Sequence, residues 1–98
     1  MPKIKTIADL QALIERRNKA NEDAHGRSSG PVFLSAVLDL LDDLDAGGPV
    51  SSSATHTQNF CGAAELILVR GFRFSMLPAG EAILAEARSS SAYQRRAA

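Results

Sequence analysis

The first half of the chain carries two segments in which hydrophobic residues recur at helical spacing. Residues three and four apart share one face of a helix, and the apolar stripe of the first segment consists of Ile7, Leu10, Leu13 and Ile14. Thr6, followed three residues later by Asp9, is a variant of the capping box and predicts the start of this helix. Polar residues follow Ile14, and Gly26 predicts the helix end.

The second segment, residues 31–45, has the clearest helical pattern. Its predicted inward positions are Phe33, Leu34, Val37, Leu38, Leu41 and Leu44, and its outward positions include Asp39, Asp42, Asp43 and Asp45. Pro31 suits a first helical position, with Gly30 or Ser29 as the cap. The helix dipole disfavours anions at the C-terminal end, so these acids meet basic groups of the chain, solvent or a partner.

The middle of the second half is harder to interpret. After a Gly- and Ser-rich loop, Ser53 or Thr55 is predicted to cap a third helix, which Gly62 weakens. The apolar run Leu66–Val69 fits either a buried helix or a strand. The preceding Ala-Ala-Glu favours a helix that ends at Gly71.

The last third contains a strand pattern and a helix pattern. Residues 72–76 alternate, with Phe72, Phe74 and Met76 on one face, which is typical of a half-buried strand. Pro78 predicts the start of a last helix, whose large apolar residues are Ile83 and Leu84. The expected fold class is mostly α, with three to four helices and a minimal β element near 72–76. Residues 1–5 and 89–98 are expected to be flexible tails.

Composition indicates a small globular protein. The 98 residues, 45% hydrophobic and 22% charged, predict a single domain over 1–98 with one modest core. A core of this size has little room for a deep active site. Apolar runs such as Leu66–Val69 are too short to span a bilayer, and the start of the chain lacks a hydrophobic signal region. We therefore expect a cytoplasmic protein without a membrane partner.

The net charge is zero but is unevenly distributed. Residues 1–30 carry +2, residues 31–65 carry −5 with no Lys or Arg, and residues 66–98 carry +3. The neutral total argues against strong nonspecific nucleic-acid binding, which requires several phosphate contacts. A local basic face in the last third is still compatible with this total.

No motif of catalytic chemistry is present. His25 and His56 lack metal-ligand spacing to other ligand-type residues, and Cys61 is predicted to be a small buried hydrophobe. A nucleophile elbow, a phosphate-binding loop and a calcium loop are all missing from the sequence. We expect a non-enzymatic protein without cofactor or metal.

One stretch carries a family resemblance. "GFRFSMLPAGEAILAEAR", within residues 70–88, resembles the wing and last helix of bacterial winged-helix regulators of the LysR and MarR types. The closest agreement runs from Phe74 to Leu84, and Leu77 stands where the family has a capping Thr before the Pro. The resemblance implies a winged-helix-like fold and a DNA-binding transcriptional regulator.

Under this hypothesis a polar run would face the bases and two arginines would contact phosphates. The candidate nucleic-acid-binding residues are Thr55, His56, Thr57, Gln58 and Asn59, with Arg70 and Arg73 for the phosphates. Residues 51–71 would then have to supply both helices of a helix-turn-helix. Residues 63–70, taken as a helix, are too apolar to read DNA, which counts against the usual mode.

The alternative is a protein-binding inhibitor, antiactivator or adaptor of phage or plasmid type. Its partner would have a basic surface and would contact the acidic helix face of Asp39, Asp42, Asp43 and Asp45. A homodimer is compatible with either hypothesis. Ile7, Leu10 and Ile14 are suited to pair with a second copy, and packing within the monomer explains them equally well.

Overall fold

Four helices and one hairpin make up the described part of the fold. The computed structural model describes residues 4–26, 30–47, 55–71 and 73–89. Its elements, in chain order, are α1 (Ile7–His25), α2 (Leu34–Asp45), α3 (Thr55–Ala63), β1 (Ile67–Arg70), β2 (Arg73–Met76) and α4 (Pro78–Ser89). The predicted fold class is confirmed, because the described chain is mostly helical with one small antiparallel sheet. The order of the elements is winged-helix-like.

Helix α2 is the central element and contacts α1, α3, α4 and β2. Its buried apolar side chains are Val37, Leu38, Leu40 and Leu41. The other buried hydrophobic residues of the core are Ile4, Leu10, Ile14, Val32, Phe60, Cys61, Leu66, Ile67, Ile83, Leu84 and Ala87. Removing each large aliphatic side chain from water contributes about 1.5–3 kcal/mol, so this shared core provides the main stabilisation.

The start of α1 is a complete capping box, as the sequence predicts. The Thr6 hydroxyl accepts from the Asp9 N–H at 3.2 Å, and the Asp9 carboxylate accepts from the N–H groups of Thr6 and Lys5. The Lys5 hydrogen bond is the main cause of a lowered Asp9 pKa. Ile4 is buried in the core. Ile4 and Lys5 thus both contact the rest of the fold, and residues 1–3 of the predicted tail lie outside the described residues.

Helix α2 begins at Leu34, three residues after the predicted start at Pro31. The reason lies in α1, where the Asn18 side-chain amide donates to the Val32 carbonyl and accepts from the Val32 N–H. These two bonds hold Val32 outside the helix, and its side chain is buried. Phe33 takes the extended N-cap position and is 60% exposed, so its predicted inward position is wrong.

Residues 67–70 form a strand, which corrects the prediction of a helix through this segment. Helix α3 ends where the Leu66 N–H donates to the Cys61 carbonyl and the Glu65 N–H donates to the Gly62 carbonyl. These two bonds form a Schellman motif, with Glu65 at the left-handed position at φ 61°. The left-handed conformation costs a non-glycine residue about 1–2 kcal/mol. This turn redirects the chain from the helix into β1.

A two-residue loop, residues 71 and 72, joins β1 and β2. Gly71, at φ 59°, lies in this loop and does not end a helix. The register pairs Val69 with Phe74 and Arg70 with Arg73. In β2 the predicted alternation is confirmed over residues 73–76, while the predicted inward position of Phe72 lies outside the described residues.

The hairpin meets α4 at a close backbone contact. The Leu77 N–H donates to the Leu66 carbonyl at 3.1 Å, and the Leu77 carbonyl accepts from the Glu81 N–H at the start of α4. A methyl group on Gly80 would overlap the same Leu66 carbonyl oxygen. Glycine is therefore required at residue 80 by the close approach of β1, and the hairpin is fixed against α4.

Helix α4 buries Ile83 and Leu84, as predicted, and extends to Ser89. The rest of the predicted C-terminal tail, residues 90–98, and the predicted cap Ser53 lie outside the described residues. Within the described ranges, every helix is too short or too polar to cross a membrane.

Candidate nucleic-acid interface

Helix α3 divides the predicted base-contacting run between two faces. Thr57 is 2% exposed and shares the buried face with Phe60 and Cys61. Thr57 therefore cannot contact a nucleic acid, which corrects that part of the prediction. The two exposed members of the run are Thr55 and Asn59. They lie four residues apart and so share the outer face of the helix.

The two half-buried members of the run, His56 and Gln58, differ from this exposed pair. The His56 Nε2 atom lies 3.1 Å from the Pro31 carbonyl oxygen. A carbonyl only accepts, so Nε2 carries the hydrogen. His56 thus joins α3 to the connection between α1 and α2.

The same connection is held from α1. Arg17 Nη1 donates to the Gly30 carbonyl at 2.9 Å, and the Asn18 amide holds both backbone groups of Val32. Together with the bond from His56 to Pro31, side chains from two helices bind three successive residues. We call residues 30–32 the clamped linker. The clamp joins α3 to α1 through the linker, and it accounts for Arg17 and Asn18 in the polar second half of α1.

The hairpin presents two arginines side by side. Arg70 and Arg73 flank the loop, pair directly across the strands and are both exposed. They share one face of the hairpin with Leu68 and Ser75, because alternate residues of a strand point the same way. Among the described residues, neither guanidinium group forms an ion pair or a hydrogen bond. Like charges directly opposite in a sheet destabilise it, so the fold does not account for this pair.

The opposite face of the hairpin lies next to α3. A methyl group on Gly62, in the last turn of α3, would contact Val69 Cγ2 at 3.5 Å. The Glu65 turn is the only connection between Ala63 and Ile67. The outer face of α3 and the arginine pair are thus carried by one contiguous unit of helix, turn and hairpin.

The acidic end of α2 meets a basic residue of the same chain. Arg88 Nη2 lies 2.6 Å from Asp42 Oδ1, and Arg88 Nη1 lies 2.9 Å from Asp45 Oδ2. The Asp42 side chain is only 11% exposed. The hydrogen bond that Arg88 donates to Asp42 is the main cause of a raised Arg88 pKa. The acidic end predicted a basic neighbour, but nothing in the sequence identified Arg88.

This arrangement changes the predicted acidic partner surface. Asp42 and Asp45 are held by Arg88, and Asp42 is buried, so it is not open to a partner. Asp39 and Asp43 are half-buried. The four carboxylates therefore do not form one open acidic face.

The predicted dimer stripe lies inside the single chain. Leu10 and Ile14 are buried in the core, and Ile7 is half-buried. The Ile7 N–H donates to Glu86 Oε1 at 2.9 Å, which ties α1 to α4. Packing within the chain therefore accounts for Leu10 and Ile14, and the homodimer stays a prediction.

Cys61 is fully buried, which confirms its predicted place in the core. Burial raises the pKa of its thiol to about 12, so the thiol stays protonated at neutral pH. Within the described ranges, no three His, Cys, Asp or Glu side chains are placed to hold a metal ion. The side chain of His25 lies outside the described atoms.

Comparison with known proteins returns no matching family model, curated protein or solved structure.

Proposed function

We propose that this protein is a small non-catalytic regulator that binds duplex DNA through the outer face of α3 and the hairpin arginines. The observation that carries the proposal is the cross-strand pair of Arg70 and Arg73. Two exposed guanidinium groups of like charge lower the stability of a hairpin. A phosphate backbone would bring the negative charge that relieves this repulsion, and arginine is well suited to phosphate.

The position of the pair within the fold supports the same function. Helices α2 and α3 are consecutive, and the hairpin follows α3 directly. In helix-turn-helix proteins the second helix enters the major groove. Here the corresponding helix, α3, exposes Thr55 and Asn59 and is not the apolar segment that argued against DNA reading. The apolar segment is β1, so the objection drawn from the sequence no longer applies.

The alternative function, capture of a basic protein partner by the acidic face, has less support. Two of its four carboxylates, Asp42 and Asp45, are bound by Arg88 within the chain. An ion pair within the fold already accounts for their negative charge. We therefore favour the DNA-binding function.

The test is fluorescence anisotropy of short mixed-sequence duplexes, titrated with the full chain at low and moderate salt. We expect binding at low salt that weakens as salt rises, because phosphate contacts release counterions. The double variant R70A/R73A should bind more weakly, and its salt slope should fall by about 2, or about 1 per lost phosphate contact.

R16A provides the matched control. Arg16 is exposed on α1, so its removal changes the net charge by one, as each single hairpin variant R70A or R73A does, at a site away from the hairpin. R16A should retain the wild-type salt slope. A wild-type chain that binds no duplex at low salt would overturn the proposed function. Equal losses of DNA affinity in R16A and the hairpin variants would show that the hairpin arginines do not contact the DNA.

A further inference from the structure

Helix α3 has an unusual set of side chains for a helix that we propose to contact DNA. Over Thr55–Ala63 it carries neither Arg, Lys, Asp nor Glu. Guanine is usually read in the major groove by Arg or Lys, and cytosine by Asp or Glu. Because α3 lacks all four of these residue types, it has few side chains that could contact a G·C pair. Adenine is read by Asn or Gln, and the thymine methyl group by small apolar groups.

Asn59 is the residue on α3 that the fold explains least. It is exposed, and within the described part of the chain its amide makes no hydrogen bond. Asn is also a poor helix former, because its side chain competes for backbone hydrogen bonds. A residue that lowers local helix stability and has no packing role suggests a functional role.

The geometry of α3 places Asn59 where a base edge would lie. The buried face of Thr57, Phe60 and Cys61 fixes the rotation of the helix against the core. Asn59 lies near the middle of the opposite face, one turn after Thr55. An amide offers one donor and one acceptor side by side, which match the N7 acceptor and N6 donor of adenine. The Thr55 methyl group is suited to the thymine methyl group.

We propose that α3 selects A·T base pairs in the major groove and that Asn59 is the adenine-contacting residue. The inference rests on the proposed DNA binding and adds its substrate preference. It also divides the interface into two parts. Arg70 and Arg73 contact phosphates and give affinity without sequence preference, while Asn59 gives preference without changing the number of phosphate contacts.

The experiment begins with enrichment of randomised duplexes by the full-length wild-type chain at moderate salt. We expect an A·T-rich core in the enriched sequences. In N59A, discrimination at one adenine should fall by on the order of tenfold, with the salt slope unchanged. In R70A/R73A, the salt slope should fall and the enriched sequence should stay the same. Q11A, which removes an amide from α1, is the matched control and should alter neither quantity.

A modified base gives the sharpest readout. Replacing the selected adenine by 7-deazaadenine removes the N7 acceptor and leaves the Watson–Crick pairing edge intact. Wild type should bind the modified duplex on the order of tenfold more weakly than the unmodified one. N59A already lacks the amide, so it should bind the two duplexes with equal affinity. Alanine is the better helix former, so N59A should fold at least as stably as wild type, and a thermal melt checks this.

The outcomes separate the inference from the proposed function. If wild type binds duplexes but enriches G·C-rich or random sequences, or if N59A is as sensitive to 7-deazaadenine as wild type, the adenine contact is wrong and the DNA binding stands. If wild type binds no duplex at low salt, both proposals fail.

Discussion

Three arginines of this protein occupy two contrasting environments. At the C-terminal end of α4, Arg88 bridges two carboxylates of α2, and one of them, Asp42, is almost fully buried. On the hairpin, Arg70 faces Arg73 across the strands, and neither meets a carboxylate among the described residues. The first arrangement neutralises charge within the fold. The second concentrates like charge on an exposed surface.

The difference separates an arginine that the fold uses from two arginines that the proposed DNA contact would use. Arg88 offsets both the acidic side chains and the negative end of the α2 dipole. Arg70 and Arg73 neutralise no negative charge within the described residues, and they repel each other across the strands. We infer that stability and function depend on different arginines, and this division can be tested by measuring unfolding and DNA binding on the same variants.

The largest expected effect comes from disrupting the backbone contact between α4 and the hairpin at Gly80. G80A should lower the free energy of unfolding by about 2–3 kcal/mol, because the new methyl group would overlap the Leu66 backbone carbonyl. Urea denaturation measures this change. G62A is the matched control, since its methyl group would meet only Val69 at an ordinary contact distance. G62A should be neutral or stabilising by up to about 1 kcal/mol; equal losses in both variants would contradict the close contact at Gly80.

The second effect compares the two environments directly. R88A should cost about 1–2 kcal/mol, because the buried Asp42 carboxylate would lose its ion pair with the Arg88 guanidinium. We place the value in this lower range because Arg88 is itself 36% exposed and partly screened by solvent. R70A should change stability by less than about 0.5 kcal/mol. Urea denaturation of both variants tests the contrast, and a loss in R70A as large as that in R88A would assign Arg70 a role in the fold.

The smallest effect on stability has the opposite sign. R70E replaces a cross-strand repulsion with an attraction to Arg73, so it should stabilise the hairpin by about 0.2–1 kcal/mol. The gain should decrease at high salt, because exposed charges are screened. The same variant should bind duplex DNA more weakly than R70A. Thermal melting and anisotropy on one preparation test both statements, and undiminished DNA binding would exclude the hairpin as a phosphate contact.

Much of the fold follows from local patterns. The Thr6 and Asp9 pair predicts the start of α1, and the alternation at Arg73–Met76 predicts β2. Pro78 predicts the start of α4. Each of these signals depends on residues within one turn or one strand, so it can be recognised without knowledge of the tertiary structure.

The errors arose where distant residues decide the structure. Leu66–Val69 looked fully buried, but Leu68 and Val69 are exposed because the hairpin has only two strands. The start of α2 is delayed by Asn18, which lies 14 residues before Val32. The left-handed turn has Glu65, and not glycine, at its positive-φ position, so the sequence gives no local signal for it.

The candidate site was predictable only in part. The polar run on α3 and the arginines on the hairpin were identified, but the burial of Thr57 depends on how α3 is rotated against the core. The bond from His56 to Pro31 joins residues 25 positions apart. The partner of Asp42 lies 46 positions away. Local spacing contains no information about such contacts.

The clamped linker has a consequence for tolerance to substitution. Arg17, Asn18 and His56 bind the backbone atoms of the linker and not its side chains. Mutational scanning should therefore find the three binding side chains more restricted than Pro31, whose exposed ring makes none of these bonds. Within the linker, Pro31 is the position most open to divergence, because Val32 is buried in the core and Gly30 has a φ of 78°. The polar side chains that face the linker are therefore more informative about the fold than Pro31.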